Sequence, residues 1–513
     1  MKFTRDSGAP FWTGPSKQYL RVGWSITALF SFSLCAHELP AGTTLEVRLS
    51  TPTGSHISHT GDQVEGRTIA PVGFRGQILV PQASRVFGSI ESVTRFGLGL
   101  KHVTASIHYE FHTVRLTNGD TIPIQTEVLE VETAKERVDV DSTVRGIHPL
   151  ASLSSSLALF TTPLLFVAPA VGVPVWGIKS VVAPSPNPEI YFPAGTELLL
   201  RLTAPVEIRS SAERPVGIKS FSPEELNEVE HLLTGSAQRA RMGSHPSDLV
   251  NILFFGSREE MDRAFHAADW VQAERKSPMS LYRMYHALTR RIGYKRAPMN
   301  VLTLNGVPSD FVYQKSLDTV QKRHHVRLWE VQHTADVWLG AAAEDIGFRF
   351  KRAHWTHSTA PKIDNERGKV VNDLAFTGCL DAVELVSRHS PDLLQDPKSK
   401  QLIVTDTHIA VVRLNACNRP RSVPAVDPVS SRDQRGRVSR GLGALRNDMR
   451  HNIIFTTYNT VRLVAQRPAL KPLRESPSID SNLPGLDWLN SLPTGKADSS
   501  SVQPPDAPST MIQ

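Results

Sequence analysis

Polar and apolar residues alternate along two distant stretches that open with nearly the same five residues. Leu39-Pro40-Ala41-Gly42-Thr43 recurs as Phe192-Pro193-Ala194-Gly195-Thr196, and each copy runs on into an alternating segment. The apolar positions of these segments are Leu45, Val47 and Leu49 in the first copy and Leu198, Leu200 and Leu202 in the second. A period of two is typical of a strand with one buried face, and Pro-x-Gly of the turn before it. The pattern therefore predicts two related strands.

Further strand signals surround these copies. Asn118-Gly119 separates two alternating runs, which is a strong short-range signal for a β-hairpin. A looser copy of the turn element follows residue 79 as Val80-Pro81-Gln82-Ala83-Ser84. We therefore predict a multidomain α+β protein whose N-terminal part, residues 38–210, is a β-rich, barrel-like module.

One segment of this module departs from the strand pattern. Residues 146–178 contain no Asp, Glu, Lys or Arg, and Pro163, Pro169 and Pro174 are expected to break or kink any helix there. A single span needs about 20 residues and would put the two related strands on opposite sides of a membrane. We therefore expect an apolar insertion that either enters a membrane partway or packs on the β-rich module.

The pattern changes after residue 210. Residues 211–247 are expected to be a linker with one short helix, because Ser222-Pro223-Glu224-Glu225 supplies a cap, an N1 proline and an acidic first turn. Residues 248–416 alternate strand and helix signals, which predicts a mixed α/β domain. Ser257 and Glu260 form a capping box that opens its first helix. Two more helices are expected at 278–291 and 363–374, with strands at 251–255, 301–304, 311–314, 324–331, 337–343 and 346–350.

The C-terminal part is basic and then polar. Residues 417–465 read as a basic loop followed by a final strand over 453–464, and residues 466–513 as a disordered tail rich in Pro and Ser. The loop lacks the interleaved aromatic residues of a nucleic-acid site, so we expect no nucleic-acid partner. A solvated segment near an anionic lipid surface fits its composition better.

The N-terminus carries a targeting signal. Arg5, Lys17 and Arg21 precede an uncharged, mostly apolar run over residues 22–36. This length suits a signal peptide and is short for a spanning helix. Leu34 is larger than the small residue that lipidation of Cys35 would require. We expect residues 1–36 to be a signal peptide or an uncleaved anchor, and the protein to be exported to the periplasm or the membrane-associated cell envelope.

Composition adds little about chemistry. A net charge of +7 over 513 residues permits an anionic partner without requiring one.

In an oxidising compartment Cys379 and Cys417 could form a disulfide; the alternative is two unrelated thiols. The chain has no Walker loop, Gly-rich dinucleotide turn, nucleophile elbow or Cys-x-x-Cys, so the sequence leaves the question of a cofactor open. The sequence leaves the oligomeric state open.

Residues suited to chemistry concentrate in two segments of the predicted α/β domain. Strand periodicity puts His325 and Arg327 on one face and His324 on the other. His357 is expected just before the third helix, where free backbone N–H groups favour anions. On that helix Asp364 and Arg367 are neighbours at three-residue spacing. The candidate ligand-binding residues are His325, Arg327, His357, Asp364, Glu366 and Arg367.

These side chains could serve several purposes. If they converge, Arg could hold a phosphate or carboxylate through two hydrogen bonds, with His as acid or base. His325, His357 and Asp364 could instead hold a metal ion. In the purely structural alternative, Arg327 pairs with Asp364 or Glu366 to pin the helix to the sheet.

The N-terminal module resembles the small β-barrel modules of the TrbI type, which occur in conjugative secretion components. The shared pattern is the Leu-Pro-Ala-Gly-Thr strand entry at residue 39, followed by Val-Pro-x-x-Ser-Arg-Val-x-Gly over residues 80–88. The resemblance implies a barrel-like fold, and channel formation is not carried over from it.

Residues 248–415 resemble the LssY C-terminal domain family. The most distinctive motif is His324-His325-Val326-Arg327-Leu328-Trp329, and Ile363-Asp364-x-Glu366-Arg367 and Thr377-Gly378-Cys379 follow it. The resemblance implies a bacterial, membrane-associated protein but no particular reaction. The chain departs from the family pattern at Ser358, Ala360 and Gly368, where a His and two acidic residues are usual, which weakens a metal or catalytic role.

Together these observations lead to two functional hypotheses. The first is a cell-envelope protein whose LssY-like domain binds an anionic ligand, an anionic lipid or a protein partner of the envelope. The alternative is a hydrolase that acts on a phosphorylated or lipid substrate through His325, Arg327, His357 and Asp364.

Overall fold

A computed structural model describes the chain between residues 37 and 458. The gaps within this range are 75–76, 99, 133–134, 149–151, 210–216, 237, 317–321, 332–333, 352–353, 389–392, 396–401, 418–441, 444, 447 and 456. The predicted signal segment, most of the basic loop and the predicted tail lie outside the described residues.

The first part of the chain, here called the β module, contains fifteen strands and two helices among its described residues. The strands are β1 (His37–Leu39), β2 (Thr44–Leu49), β3 (Thr53–Gly54), β4 (Gln63–Thr68), β5 (Val72–Phe74), β6 (Gln77–Val80), β7 (Arg85–Thr94), β8 (Ser106–Arg115), β9 (Thr121–Pro123), β10 (Thr126–Val131), β11 (Arg137–Val138), β12 (Thr143–Arg145), β13 (Tyr191–Phe192), β14 (Glu197–Leu202) and β15 (Val206–Ile208). The helices are α1 (Leu153–Val167) and α2 (Pro169–Val182).

The two related strands are neighbours in one antiparallel sheet. β14 pairs with β2, with Leu198 opposite Val47 and Leu200 opposite Leu45. The sheet runs in the order β10-β14-β2-β4-β7-β8-β12-β11, with β9 attached to β8. The Thr126 hydroxyl of β10 donates to the Phe111 carbonyl of β8 at 2.9 Å. This contact joins the first strand of the sheet to a strand near its other end. The predicted barrel-like module is therefore confirmed as a nearly closed sheet around one apolar core.

The apolar insertion forms a helical hairpin, which the sequence did not predict. Pro163 and Pro174 lie inside α1 and α2, and Pro169 occupies the first turn of α2. Proline is tolerated in a first turn, since that N–H would have no intrahelical partner. Pro163 and Pro174 therefore do not break the helices that contain them, whereas Pro169 lies where α1 ends and α2 begins, as expected of a helix-breaking residue. Among the described residues, no helix combines the length and apolar character needed to cross a membrane.

The second part, here called the α/β domain, contains the remaining described helices and strands. Its helices are α3 (Pro223–Gly235), α4 (Arg258–Ala267), α5 (Pro278–Arg290) and α6 (Ile363–Thr377), and Met449–Phe455 forms a π-helix. Its strands are β16 (Arg239–Met242), β17 (His245–Leu249), β18 (Ile252–Phe255), β19 (Val271–Gln272), β20 (Thr303–Leu304), β21 (Val307–Pro308), β22 (Phe311–Ser316), β23 (Arg323–Glu330), β24 (Val337–Lys351), β25 (His354–Thr359), β26 (Leu380–Ser387), β27 (Leu393–Gln395), β28 (Leu402–Val404) and β29 (His408–Leu414).

The main sheet of this domain separates two apolar cores. Its order is β19-β22-β23-β24-β18-β29-β26, with β25 attached to β24, and β18 and β29 are parallel. One core joins this sheet to α4 and α6 through residues such as Phe265 and Val371. The other includes Val229 of α3 and Trp329 of β23. Helix α6 therefore lies on the sheet face to which Val326 and Leu328 belong.

Several boundaries differ from those predicted. The predicted linker, residues 211–247, contains α3 as expected but also β16 and most of β17, which pair with each other. The strands expected at 337–343 and 346–350 are one long strand, β24. Residues 453–455, expected to start a final strand, belong to the π-helix, and the rest of that predicted strand is mostly outside the described residues.

The β module and the α/β domain pack together within one compact unit. Every described face of α6 is buried after its first turn. The Gln82 side chain of the β module donates to the Asn372 carbonyl of α6 at 3.0 Å, and Ile78 of β6 belongs to the α6 core. Helix α6 is therefore enclosed between its own sheet and the β module.

Candidate functional site

His325 and Arg327 lie on the same face of β23, as the periodicity predicts, but that face is turned away from α6. Both side chains are buried and contact Asp248 of β17. The Arg327 guanidinium donates to the Asp248 carboxylate, and His325 Nε2 lies 3.4 Å from the same oxygen. Although burial opposes it, Arg327 and His325 lower the pKa of Asp248. These two candidates therefore form a buried ion-pair group without Asp364 or Glu366.

The residue of this motif that meets α6 is His324. Its Nδ1 lies 2.6 Å from Glu366 Oε2 on α6, and its Nε2 lies 2.5 Å from Glu132 Oε1 of the β module. Burial disfavours a charged imidazole, but Glu366 and Glu132 raise the pKa of His324 well above its ordinary value. His324 therefore lies between acidic side chains of the two parts of the chain, in an environment that favours the charged imidazole.

His357 does not occupy a loop before α6. It lies within β25 and pairs with Phe348 of β24, and residues 360–362 separate that strand from the helix. Because it is bonded into a sheet ladder, its backbone is not part of a free helix N-terminus. We predicted that four residues converge on one pocket, namely His325, Arg327, His357 and Asp364. The described contacts do not bring them together.

Asp364 and Arg367 do come together, with partners from the segment between β28 and the start of β29. Arg367 donates to both oxygens of Asp406, at 2.8 and 2.6 Å, and to the His408 carbonyl at 2.6 Å. Asp364 lies 3.2 Å from Arg367 and accepts from the Asp406 backbone N–H at 2.6 Å. We call Asp364, Arg367, Arg388, Thr405, Asp406 and His408 the Arg367 cluster.

Arg388 is the unusual member of this cluster. Only 5% of the residue is exposed, and its Nη1 donates to the Val250 carbonyl. Among the described residues, its Nε and Nη2 have no hydrogen-bond partner. Burial lowers the pKa of Arg388 to about 10, with Asp364 and Asp406 acting in the opposite direction. The guanidinium therefore stays charged at neutral pH while two of its nitrogens lack a hydrogen-bond acceptor among the described residues, which is unfavourable in a protein interior.

A second group of charges, here called the interface network, joins the β module to α6. Its acidic members are Glu46, Glu132, Glu197, Glu366 and Asp373, and its basic members are Arg48, Lys315, His324 and Lys369. The β module supplies Glu46, Glu132, Glu197 and Arg48, and the α/β domain supplies the others. All are buried except Glu132, whose side chain is 14% exposed.

Lys369 is the centre of the interface network. Its ammonium donates to Glu46 and Glu197, the latter at 2.5 Å, and to Asp373 at 3.2 Å. Lys315 supports the same acids, at 2.6 Å from Glu197 and 2.9 Å from Asp373. These cations hold the pKa of Glu197 well below its ordinary value although burial opposes it. The lysines therefore make a buried group of carboxylates tolerable.

Three carboxylates of this network have the geometry of a metal site. Oxygens of Glu46, Glu132 and Glu197 lie within 4.8 Å of one another. However, the Lys369 ammonium already contacts two of them and lies 3.9 Å from Glu132. A protein cation thus takes the place that a metal ion would occupy, so we assign no metal to this triad.

One acid at the edge of the network is poised to bind a proton. Burial and the nearby Glu197 raise the pKa of Glu132 to about 8. Burial also raises the pKa of Glu344, on β24, to about 7, with Glu366 and Glu130 contributing. The interface between the two parts of the chain therefore changes its charge near neutral pH.

Sequence reasoning missed most of these residues. Glu46 and Arg48 occupy the polar positions of the first alternating strand, and such positions usually face water. Glu366, Lys369 and Asp373 share one face of α6 at spacings of three and four residues, a pattern that was available in the sequence. The signal for Arg388 and Asp248 was weaker still, because each is a single charged residue near the end of a strand.

Cys379 and Cys417 form a disulfide in this structure, across a sequence separation of 38 residues. Cys379 follows Gly378, the residue that caps α6, and Cys417 lies three residues after the end of β29. The bond therefore ties the end of α6 to the end of a central strand of the sheet.

Comparison with known proteins identifies part of the chain. Residues 229–409 match the model of the family described as the LssY C-terminus, which begins before the boundary at 248 that the sequence pattern suggested. The match covers α4, α5 and α6 and the strands from β16 to β28. A comparison with curated proteins found no match. Most of the α/β domain is therefore similar to LssY C-terminal domains.

Proposed function

We propose that this protein is an exported cell-envelope binding protein whose α/β domain holds an anionic group at Arg388, beside Arg367. The observation that supports this is that Nε and Nη2 of Arg388, a residue only 5% exposed, have no hydrogen-bond partner in the part of the chain that the structure describes. A phosphate or carboxylate oxygen is the natural acceptor for such a fork. Arg367 and Asp406 next to it are already paired, which leaves Arg388 as the ligand-binding cation.

The rest of the molecule would act as a scaffold for this site. The interface network and the shared burial of α6 hold the β module and the α/β domain together. The β module is then free to attach to a protein partner in the envelope. Export is supported by the basic and apolar N-terminal segment and by a cysteine pair that suits an oxidising compartment.

The experiment is a thermal unfolding series of the full chain with and without inorganic phosphate. Phosphate should raise the melting temperature of the wild type, since a ligand that binds only the native state stabilises it. Arg388→Met should abolish this shift, and Arg388→Lys should reduce it because a lysine lacks the planar fork. Arg413→Met is the matched control, because Arg413 already donates to Glu225 at 2.6 Å.

Two control measurements make the test specific for the proposed site. In phosphate-free buffer Arg388→Met should leave stability within about 1 kcal/mol of the wild type, because the lost hydrogen bond to Val250 is offset by removal of an unpaired buried charge. Sodium chloride at matched ionic strength should not reproduce the phosphate effect. An equal phosphate shift in wild type and Arg388→Met would exclude the proposed site.

The hydrolase hypothesis is the second candidate, and the geometry supports it less. Its four residues would have to meet around an open cleft, whereas His325 and Arg327 are buried against Asp248 and His357 is part of β25. Phosphate release from a phosphomonoester that is lost in Asp364→Asn, and retained in Asp310→Asn, would reverse this ranking.

A further inference from the structure

The helical hairpin formed by α1 and α2 presents an apolar surface to its surroundings. Its exposed large apolar residues are Leu153, Leu157, Phe160, Leu164, Phe166, Val167, Val171, Val173, Ile178, Val181 and Val182. At 100° per residue, the exposed positions of each helix span about half of its circumference. The two helices pack closely against each other, since a Cβ at Gly172 would lie 2.3 Å from the Leu164 carbonyl oxygen. Both helices of the hairpin therefore expose a broad apolar surface.

The polar groups of the hairpin are arranged as they would be in an apolar solvent. Thr161 and Ser156 donate their hydroxyls to the carbonyls of Leu157 and Ser152, one turn earlier in α1. The only charged residue of the two helices is Lys179, and it is buried. Its ammonium donates to the Ser154 hydroxyl at 2.6 Å and lies 3.4 Å from Asp448. The hairpin therefore exposes no charge.

The base of the hairpin is anchored and rimmed by groups that suit a headgroup region. Asp448 also accepts from the backbone and hydroxyl of Ser185, just after α2. Tyr285 of α5 donates its hydroxyl to the Val182 carbonyl at 2.8 Å. Tyr282 is exposed on the same helix. The helix ends at Arg290, which interacts electrostatically with Asp448. Tyrosine and arginine at this level are typical of the boundary between hydrocarbon and lipid phosphate.

From this arrangement we infer that the hairpin inserts partway into a lipid bilayer from one side, with α5 at the headgroup level. Helices of 15 and 14 residues are about 22 and 21 Å long. This exceeds one leaflet of about 15 Å and falls short of the hydrocarbon core of about 30 Å. The hairpin thus enters the membrane without crossing it, which keeps β2 and β14 on the same side.

A bilayer fits this surface better than a protein does. A folded partner would cover part of the hairpin, whereas exposed apolar residues occupy about half of the circumference of both helices and continue to the tip at Phe166 and Val167. A fluid apolar phase surrounds such a shape, and Arg290 at its base complements anionic lipid headgroups. This inference is independent of the anion site at Arg388.

The test places an environment-sensitive fluorescent label (NBD) at the hairpin tip of the full chain. Val167→Cys and the control Val140→Cys are each made in a Cys35→Ser background, and Val140 is 96% exposed in the β module. With phosphatidylethanolamine–phosphatidylglycerol vesicles, the label at 167 should brighten several-fold and shift to the blue, and brominated acyl chains should quench it. The label at 140 should not respond. Because the readout is local, adsorption through the N-terminal segment does not imitate it.

Two variants separate insertion from other causes. Phe160→Asp in the Val167→Cys chain should abolish the response, and Val140→Asp should leave it unchanged. An unchanged label at 167 in the presence of vesicles would overturn the inference. So would an equal response at 140, or a response at 167 that appears without vesicles as protein concentration rises, which would indicate a second copy of the chain as the occupant.

Discussion

Lys369 on α6 and Glu197 on β14 form a buried ion pair, 2.5 Å from Nζ to Oε2, that joins the α/β domain to the β module. Glu197 opens the second of the two related strands, and Lys369 lies in the helix that carries the family motif. The pair therefore connects two parts of the chain that the sequence presents as separate modules.

Removing the cation of this pair should weaken the whole unit. Lys369→Met leaves Glu46, Glu197 and Asp373 without their shared ammonium, and breaking one side of a buried pair typically costs about 3–5 kcal/mol. Urea unfolding of the full chain measures the loss. Lys219→Met is the control, because the exposed Lys219–Asp381 pair should contribute less than about 1 kcal/mol. A loss below that value for Lys369→Met would mean that the network does not hold the two parts together.

Stability should fall as pH rises through neutrality. The pKa values of Glu132 and Glu344 are raised in the folded state, to about 8 and about 7, so folding takes up protons above pH 4.5. The stability from each is complete below its unfolded pKa and is lost as pH rises through the folded value. The raised pKa of His324 acts with the same sign above 6.5.

Glu132→Gln tests this pH dependence. The glutamine cannot ionise, so the difference in urea stability between variant and wild type should grow in favour of the variant from pH 5 to pH 8.5. Groups with lowered pKa values, such as Glu197 and Asp373, titrate below this window and do not contribute. A difference that stays constant across the window would contradict the assignment of Glu132 as the proton-binding acid.

Asp248 should be a structural residue. Asp248→Asn leaves the buried Arg327 without its carboxylate and should cost about 3–5 kcal/mol. Arg327→Met combined with Asp248→Asn should recover part of this loss, because the uncompensated charge is then gone. Asp120→Asn, on the exposed turn after β8, is the control. If the single variant keeps wild-type stability and loses ligand binding instead, Asp248 belongs to a functional site.

Reduction of the disulfide should lower the melting temperature. In the chain-entropy account, a loop of 38 residues corresponds to about 3–4 kcal/mol of stabilisation. Differential scanning calorimetry with and without dithiothreitol measures the change, and Cys379→Ser/Cys417→Ser should show the lower temperature in both conditions. A wild type that is insensitive to the reductant would indicate that the two thiols are not bonded in solution.

Some of this protein was determined by short-range sequence pattern alone. The alternation at Leu45 and Leu198 was enough to predict two strands with buried apolar faces, because the period of two is a property of the extended backbone. The capping boxes at Ser222 and Ser257 fixed where two helices begin, since their hydrogen bonds span only three residues. The same periodicity correctly put His324 and His325 on opposite faces of one strand.

What only the tertiary structure decided is which of those faces is covered, and by what. Glu46 and Arg48 have the pattern of a solvated strand face, but α6, more than 300 residues away along the chain (323 between Glu46 and Lys369), covers them. The contact of His324, rather than His325, with that helix was likewise not predictable. Strand periodicity tells which residues share a face, but not which element packs against that face. The helices through Pro163 and Pro174 form because their packing against each other outweighs a local preference. Long-range burial sets the free energy of a charged side chain, and no local pattern contains that information.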